Sequence, residues 1–148
     1  MNLLRMDNVS IVVEDLDATV AFFEELGLRA EGRMRIDGEW AARIVGLPGQ
    51  VCDIAMLRTP DGHGGIELCR YVRPEVVRPQ PENAPANTLG YRRVMFAVDD
   101  LEEALARIAK HGATLVGEVT KYEEIFKLCY VRGPEGLLIG LAEPLRGS

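Results

Sequence analysis

The sequence has no excess of basic residues: 17 Lys and Arg stand against 23 Asp and Glu, a formal charge of −6. Without a basic stripe there is no electrostatic footprint for a phosphate backbone, so no nucleic-acid partner is expected. No apolar run approaches the roughly 20 residues of a membrane span. The start, Met1-Asn2-Leu3-Leu4-Arg5, turns polar too quickly for a secretory signal. A cytoplasmic protein with no membrane partner is expected. Cysteine is scarce: Cys52, Cys69 and Cys129, an odd number with no CxxC pair. Each sits in an apolar, strand-like run, which fits reduced core thiols rather than a disulfide framework. No histidine or basic cluster adjoins them in sequence to activate a thiolate.

What the chain does have is a duplication. Val9-Ser10-Ile11-Val12-Val13-Glu14-Asp15-Leu16 returns as Val94-Met95-Phe96-Ala97-Val98-Asp99-Asp100-Leu101, at a constant offset of 85 residues. The register holds onward, pairing Ala21 with Ala106 and Gly27 with Gly112. Downstream, Pro60-Asp61-Gly62 and Ile66-Glu67-Leu68 recur as Pro134-Glu135-Gly136 and Ile139-Gly140-Leu141. Two copies are too few for a solenoid, which needs about three repeats to bury a continuous core. The pattern reads as paired modules.

Each module spells out the same elements. β-Branched alternation predicts a strand over Met6 to Val13, and Asp15 then caps a helix from Leu16 to Leu26 that Gly27 ends. Leu28 to Ile36, Val51 to Arg58 and Gly65 to Val72 read as strands, with a turn at Pro60-Asp61-Gly62. The segment Asp37 to Gly49 has no counterpart in the second copy; within it Glu39 to Val45 reads as a short helix. Residues 73–89 hold four of the eight prolines and form a linker. The second copy gives a strand at Tyr91 to Val98, then a helix from Leu101 to His111 with Asp100 and Glu103 as a capping box. Further strands are expected at Thr114 to Val119, Ile125 to Val131 and Leu137 to Ala142. The expectation is α+β: one domain over residues 1–148, with module one at 4–72 and module two at 90–144. Two βαβββ sheets would enclose a barrel-like cavity.

Several motifs carry a family likeness. They are Asp7-x-Val9-x-Ile11-Val12-Val13-Glu14-Asp15-Leu16-Asp17-Ala18, Phe96 to Leu105, Phe22-Phe23-x-x-Leu26-Gly27, Gly62 to Leu68, and Gly133-Pro134-Glu135-Gly136. With the duplication, they resemble the vicinal oxygen chelate superfamily. That group includes glyoxalase I, extradiol dioxygenases, methylmalonyl-CoA epimerase, fosfomycin-modifying transferases and bleomycin-resistance proteins. The resemblance implies a divalent metal held by a His from each first strand and a Glu from each last strand. Residue by residue, those positions fall on Asn8, Glu67, Arg93 and Gly140. Only Glu67 is a ligand type, and Arg93 would repel a cation. No metal or other cofactor is therefore expected, with a metal-assisted site as the alternative.

Strand alternation puts Asn8, Ser10, Glu67, Cys69, Arg93, Met95, Leu138 and Gly140 on the faces where relatives hold ligands. On that alignment Arg93 meets Glu67, with Asn8 completing the hydrogen bonds, because a buried carboxylate needs a partner and Arg is its best bidentate one. The pair could merely neutralise a vestigial site. Alternatively Arg93 binds a substrate carboxylate or enolate while Glu67 moves protons, and both are then catalytic candidates. Ser10, Cys69, Met95 and Leu138 would line the ligand. Trp40, on the insertion, either lays its indole over an apolar ligand or packs in the core. His63 is expected at the rim or in solvent, His111 at a helix C-terminus, Arg33, Arg35 and Arg43 on a solvated face, and Tyr122 to Glu124 on the surface.

Two functions remain open. One is a protein, too poor in metal ligands for chelation, that sequesters a small organic ligand; the other is an isomerase, epimerase or lyase acting on a small carbonyl or carboxylate substrate through Glu67. An ordinary glyoxalase would require His63 or water to rescue metal binding. The resemblance also implies a homodimer. The Arg93–Glu67 expectation has a direct test in a double-mutant cycle. Glu67→Gln and Arg93→Met should each cost about 3–5 kcal/mol in denaturant unfolding, and the double change much less than their sum. Additive effects would show that the module alignment misassigns one residue.

Overall fold

The computed structural model describes residues 1–145. The chain divides into two compact units, the first Met1–Val77 and the second from Arg78 onward.

The first unit runs β1 (Val9–Val12), α1 (Leu16–Leu26), β2 (Arg29–Ile36), α2 (Glu39–Val45), β3 (Val51–Arg58) and β4 (Gly65–Arg73). Its sheet has the order β1-β4-β3-β2. The strands β2, β3 and β4 form an antiparallel meander, and β1 lies parallel to β4 with Val9 beside Ile66 and Ser10 beside Glu67. Local chemistry sets these boundaries. Asp15 accepts the Ala18 N–H at 3.0 Å, and Gly27 ends α1 with φ 123°, a conformation that side chains oppose. At the β3–β4 turn, Asp61 accepts the Thr59 hydroxyl at 2.6 Å and the His63 N–H at 3.0 Å. Gly65 admits the chain before β1: a Cβ there would sit 2.7 Å from the Asp7 carbonyl oxygen.

Burial separates the two faces of this sheet. Ile66 and Leu68 of β4 and Ala55 and Leu57 of β3 are buried with Phe22, Phe23, Val20 and Leu16 of α1. The Phe22 and Phe23 rings meet edge to face, 5.1 Å between centroids. Thr19, buried on the same helix, returns its hydroxyl to the Asp15 carbonyl at 2.7 Å. The alternate residues of β1 and β4, Ser10, Glu67 and Cys69, lie on the opposite face.

The second unit runs β5 (Arg93–Ala97), α3 (Leu101–Ala109), β6 (Thr114–Leu115), β7 (Thr120–Tyr122), β8 (Phe126–Arg132) and β9 (Leu138–Pro144). The order is β5-β9-β8-β6, with β7 also on β8, and β5 is parallel to β9. Leu101 and Ile108 of α3 are buried with Val131, Ile139 and Leu141 of the sheet. Arg132 ties part of the linker to this unit, donating to the carbonyls of Ala84 at 2.7 Å, Asn83 at 3.3 Å and Gly136 at 3.0 Å.

The structure corrects several expectations. The expected strand at Thr114 to Val119 stops at Leu115, and the chain rejoins the same partner as β7 after Gly117. Glycine weakens a strand interior, and Glu123 at φ 51° makes the turn into β8. Tyr122 is thereby a strand residue, paired with Phe126. Only half of the capping box forms: Asp100 accepts the Glu103 N–H at 3.0 Å, but the Glu103 carboxylate takes Arg107 at 2.6 Å, one helical turn on. The first strand of each unit is shorter than the sequence suggests, and α3 ends at Ala109. All three cysteines are buried free thiols. No helix among the described residues is long and apolar enough to cross a membrane.

Candidate functional site

In the first unit the β1–β4 register places Ser10 directly beside Glu67. The Ser10 hydroxyl donates to Glu67 Oε1 at 3.2 Å, and the Cys69 thiol donates to the same oxygen at 3.1 Å. Ser10 Oγ and Cys69 Sγ are 3.4 Å apart, which closes the triad. Both donors go to Oε1. Burial pushes the Cys69 thiol up to about 12; the Ser10 contact acts against this, while the hydrogen bond and charge of Glu67 add to it. The thiols of Cys52 and Cys129 are raised as well, burial being the leading cause for both. Cys69 is therefore a hydrogen-bond donor to the carboxylate, with its thiol form favoured over the thiolate. Asn8 is exposed, just ahead of β1 and next to Gly65.

The equivalent positions in the second unit hold different chemistry. Met95 lies beside Gly140 and Arg93 beside Leu138, which is buried. A Cβ on Gly140 would meet Cγ and Cε of Met95 at 3.2 Å, so a thioether covers the place that corresponds to Glu67. The Arg93 guanidinium stacks over the Tyr130 ring, 4.8 Å from its centroid, and Tyr130 pairs with Gly140 in the sheet. Among the described residues of its own unit, Arg93 has this ring as its partner and no carboxylate.

The remaining candidates fall outside these two clusters. Trp40 is 61 % exposed on α2, which removes core packing as its role. His63 is exposed in the β3–β4 turn, and His111 follows the last turn of α3. The arginines are ion-paired: Arg33 with Asp17, Arg35 with both oxygens of Asp53 at 2.8 and 3.0 Å, and Arg43 with Glu39 at 3.3 Å. Hydrogen bonding and charge from Arg35 hold the Asp53 carboxyl below its usual range. Sequence reasoning missed a mainly apolar cavity of about 490 Å³ in the second unit, lined by Val116, Thr120, Tyr122, Leu128 and Tyr130 among others. The alternation of Phe126, Leu128 and Tyr130 along β8 was the available signal for it.

A duplicated βαβββ unit, with first and last strands parallel in each copy, defines a paired-module α+β class. The chain belongs to the glyoxalase/bleomycin resistance protein/dioxygenase superfamily, whose sequence pattern matches residues 7–130. It is similar to a glyoxalase family protein of Bacillus cereus: 57 % identity, 98 % of this chain and 97 % of that one covered, TM-score 0.94. A glyoxalase/bleomycin resistance/dioxygenase domain from Frankia sp. shares 19 % identity over 99 % of this chain and 96 % of that one, with TM-score 0.68. For a glyoxalase family protein of Enterococcus faecalis the identity is 20 %, the coverage 94 % and 97 %, and the TM-score 0.61. The last two likenesses show the fold alone. No curated protein matches the chain.

The metal that the family implies does not fit the donors present. Among the described residues no three His, Cys, Asp or Glu side chains converge as a metal site requires. Glu67 Oε1 is already the acceptor of two hydrogen bonds, and Gly140 offers no side-chain donor. The thiol chemistry is testable by following alkylation of Cys69 with iodoacetamide by mass spectrometry. Near neutral pH the rate should fall about a thousandfold below that of an ordinary thiol, rising only toward strongly alkaline pH. Glu67→Gln should shift that profile to lower pH, while burial keeps it above the ordinary range. Labelling as fast as in the unfolded chain would contradict the buried triad.

Proposed function

We propose that this protein binds a small organic ligand, without a resident divalent metal, the candidate surfaces being the strand face of the first unit that bears Ser10, Glu67 and Cys69 and that of the second unit that bears Arg93 and Met95. The observation that carries this reading is the fate of the family's ligand positions. One is a carboxylate engaged by a hydroxyl and a thiol, and its counterpart is a glycine covered by methionine. Hydrogen-bond donors and a stacked guanidinium suit an organic molecule better than a cation. Asn8 and Leu138 belong to the same faces, and Trp40 offers an exposed indole on the insertion helix. A homodimer in the cytoplasm is part of this proposal, supported by the exposed apolar side chains of Leu3, Leu4, Trp40 and Ile44.

One observation favours a second reading, an isomerase, epimerase or lyase acting on a small carbonyl or carboxylate substrate. Because Ser10 and Cys69 both engage Oε1, Glu67 Oε2 is left to accept a proton from a ligand, with Oε1 held in place. Native mass spectrometry with elemental analysis, on untagged protein, tests the main reading. The expected result is a carried-over small organic molecule and no stoichiometric metal. About one Zn, Ni, Fe or Mn per chain surviving dialysis would overturn it. Glu67→Gln separates the two readings: for a binding protein, affinity for the captured molecule changes only modestly, whereas for an enzyme turnover falls by about 10²–10⁴-fold.

A further inference from the structure

We infer that the second unit takes a flat, apolar monoanion of the aromatic carboxylate class, its ring in the Tyr122–Leu128–Tyr130 cavity and its carboxylate on Arg93. This rests on the ligand-binding reading above and names the class of ligand. The cavity, about 490 Å³, is large enough for one small molecule and mostly apolar in its lining. Tyr130 belongs both to that cavity and to the Arg93 stack. A guanidinium lying on a ring uses its π face, which leaves its in-plane N–H donors for a bidentate acceptor.

Several other cations of this unit already have partners. Lys121 is 3.8 Å from Glu124, Lys127 is 3.9 Å from Glu102, and Arg132 is bound to three backbone carbonyls. Stacked on a ring of the cavity lining, Arg93 supplies the positive charge, with Lys121, also on that lining, set beside Glu124; Met95 next to Arg93 adapts to the shape of an apolar ring. Glu118, also on the cavity lining, disfavours a second negative charge, which selects a monoanion over a dianion.

The test is titration calorimetry with three probes of one shape: 2-naphthoate, 2-naphthalenemethanol and 2-naphthylmethylammonium, combined with amide NMR. Naphthoate should bind about tenfold or more tightly than the alcohol, shift the amides of Tyr122, Leu128 and Tyr130, and exceed the ammonium by more still. Arg93→Gln should remove the preference for naphthoate over the alcohol, and Arg93→Lys should restore part of it. Equal affinity for naphthoate and alcohol would overturn the anion assignment while leaving the ligand-binding reading standing. No binding of naphthoate, shifts confined to other residues, or a preference that survives in Arg93→Gln would each overturn the inference itself.

Discussion

Parallel pairing between the first and last strands of each unit is the constraint on which the candidate site depends. It brings Ser10 against Glu67 across 57 residues of sequence and sets Met95 against Gly140 in the second copy. A shift of one residue in either register would turn these side chains to the helix face, because side-chain direction alternates along a strand. Gly65 protects the register in the first unit, since any side chain there would strike the Asp7 carbonyl. The buried faces of Leu68 and Leu141, both fully excluded from solvent, hold it from the other side.

On this common frame the two copies have taken opposite chemical courses. The first unit gathers a carboxylate with a hydroxyl and a thiol. The second has neither at the matching positions and instead stacks a guanidinium on tyrosine, with methionine folded over glycine. A cation site needs several converging anionic or imidazole donors. The faces as they stand hold polar and aromatic groups in fixed directions. The two copies thus share a fold while presenting different side-chain chemistry, as expected where function lies in grafted side chains.

The architecture was legible because local signals agree with one another. The bounds of α1, α2 and β3 follow from the sequence residue for residue, since Asp15 and Gly27 punctuate the first helix and Gly46 the second. The duplication revealed which residues of the two copies correspond. What stayed hidden depends on competition between partners. Glu103 could close a capping box or pair with Arg107, and side-chain geometry one turn along the helix decided for Arg107. The break at Gly117 divides what alternation alone reads as one strand. Cys69 was recognisable as a residue of the site face, but its donation to Glu67 requires the rotamers of both side chains. Tyr130 went unnoticed because its importance comes from Arg93, a residue 37 positions away in sequence.

The central claim is that Glu67 belongs to a hydrogen-bonded polar cluster and not to a cation site. Paramagnetic broadening by Mn²⁺, followed residue by residue on ¹⁵N-labelled protein, tests it most directly. The account predicts no saturable broadening centred on the amides of Asn8, Ser10, Glu67 and Cys69, only weak effects near exposed acidic side chains. Saturable loss of those four signals at about one equivalent of Mn²⁺, abolished by Glu67→Gln, would contradict it.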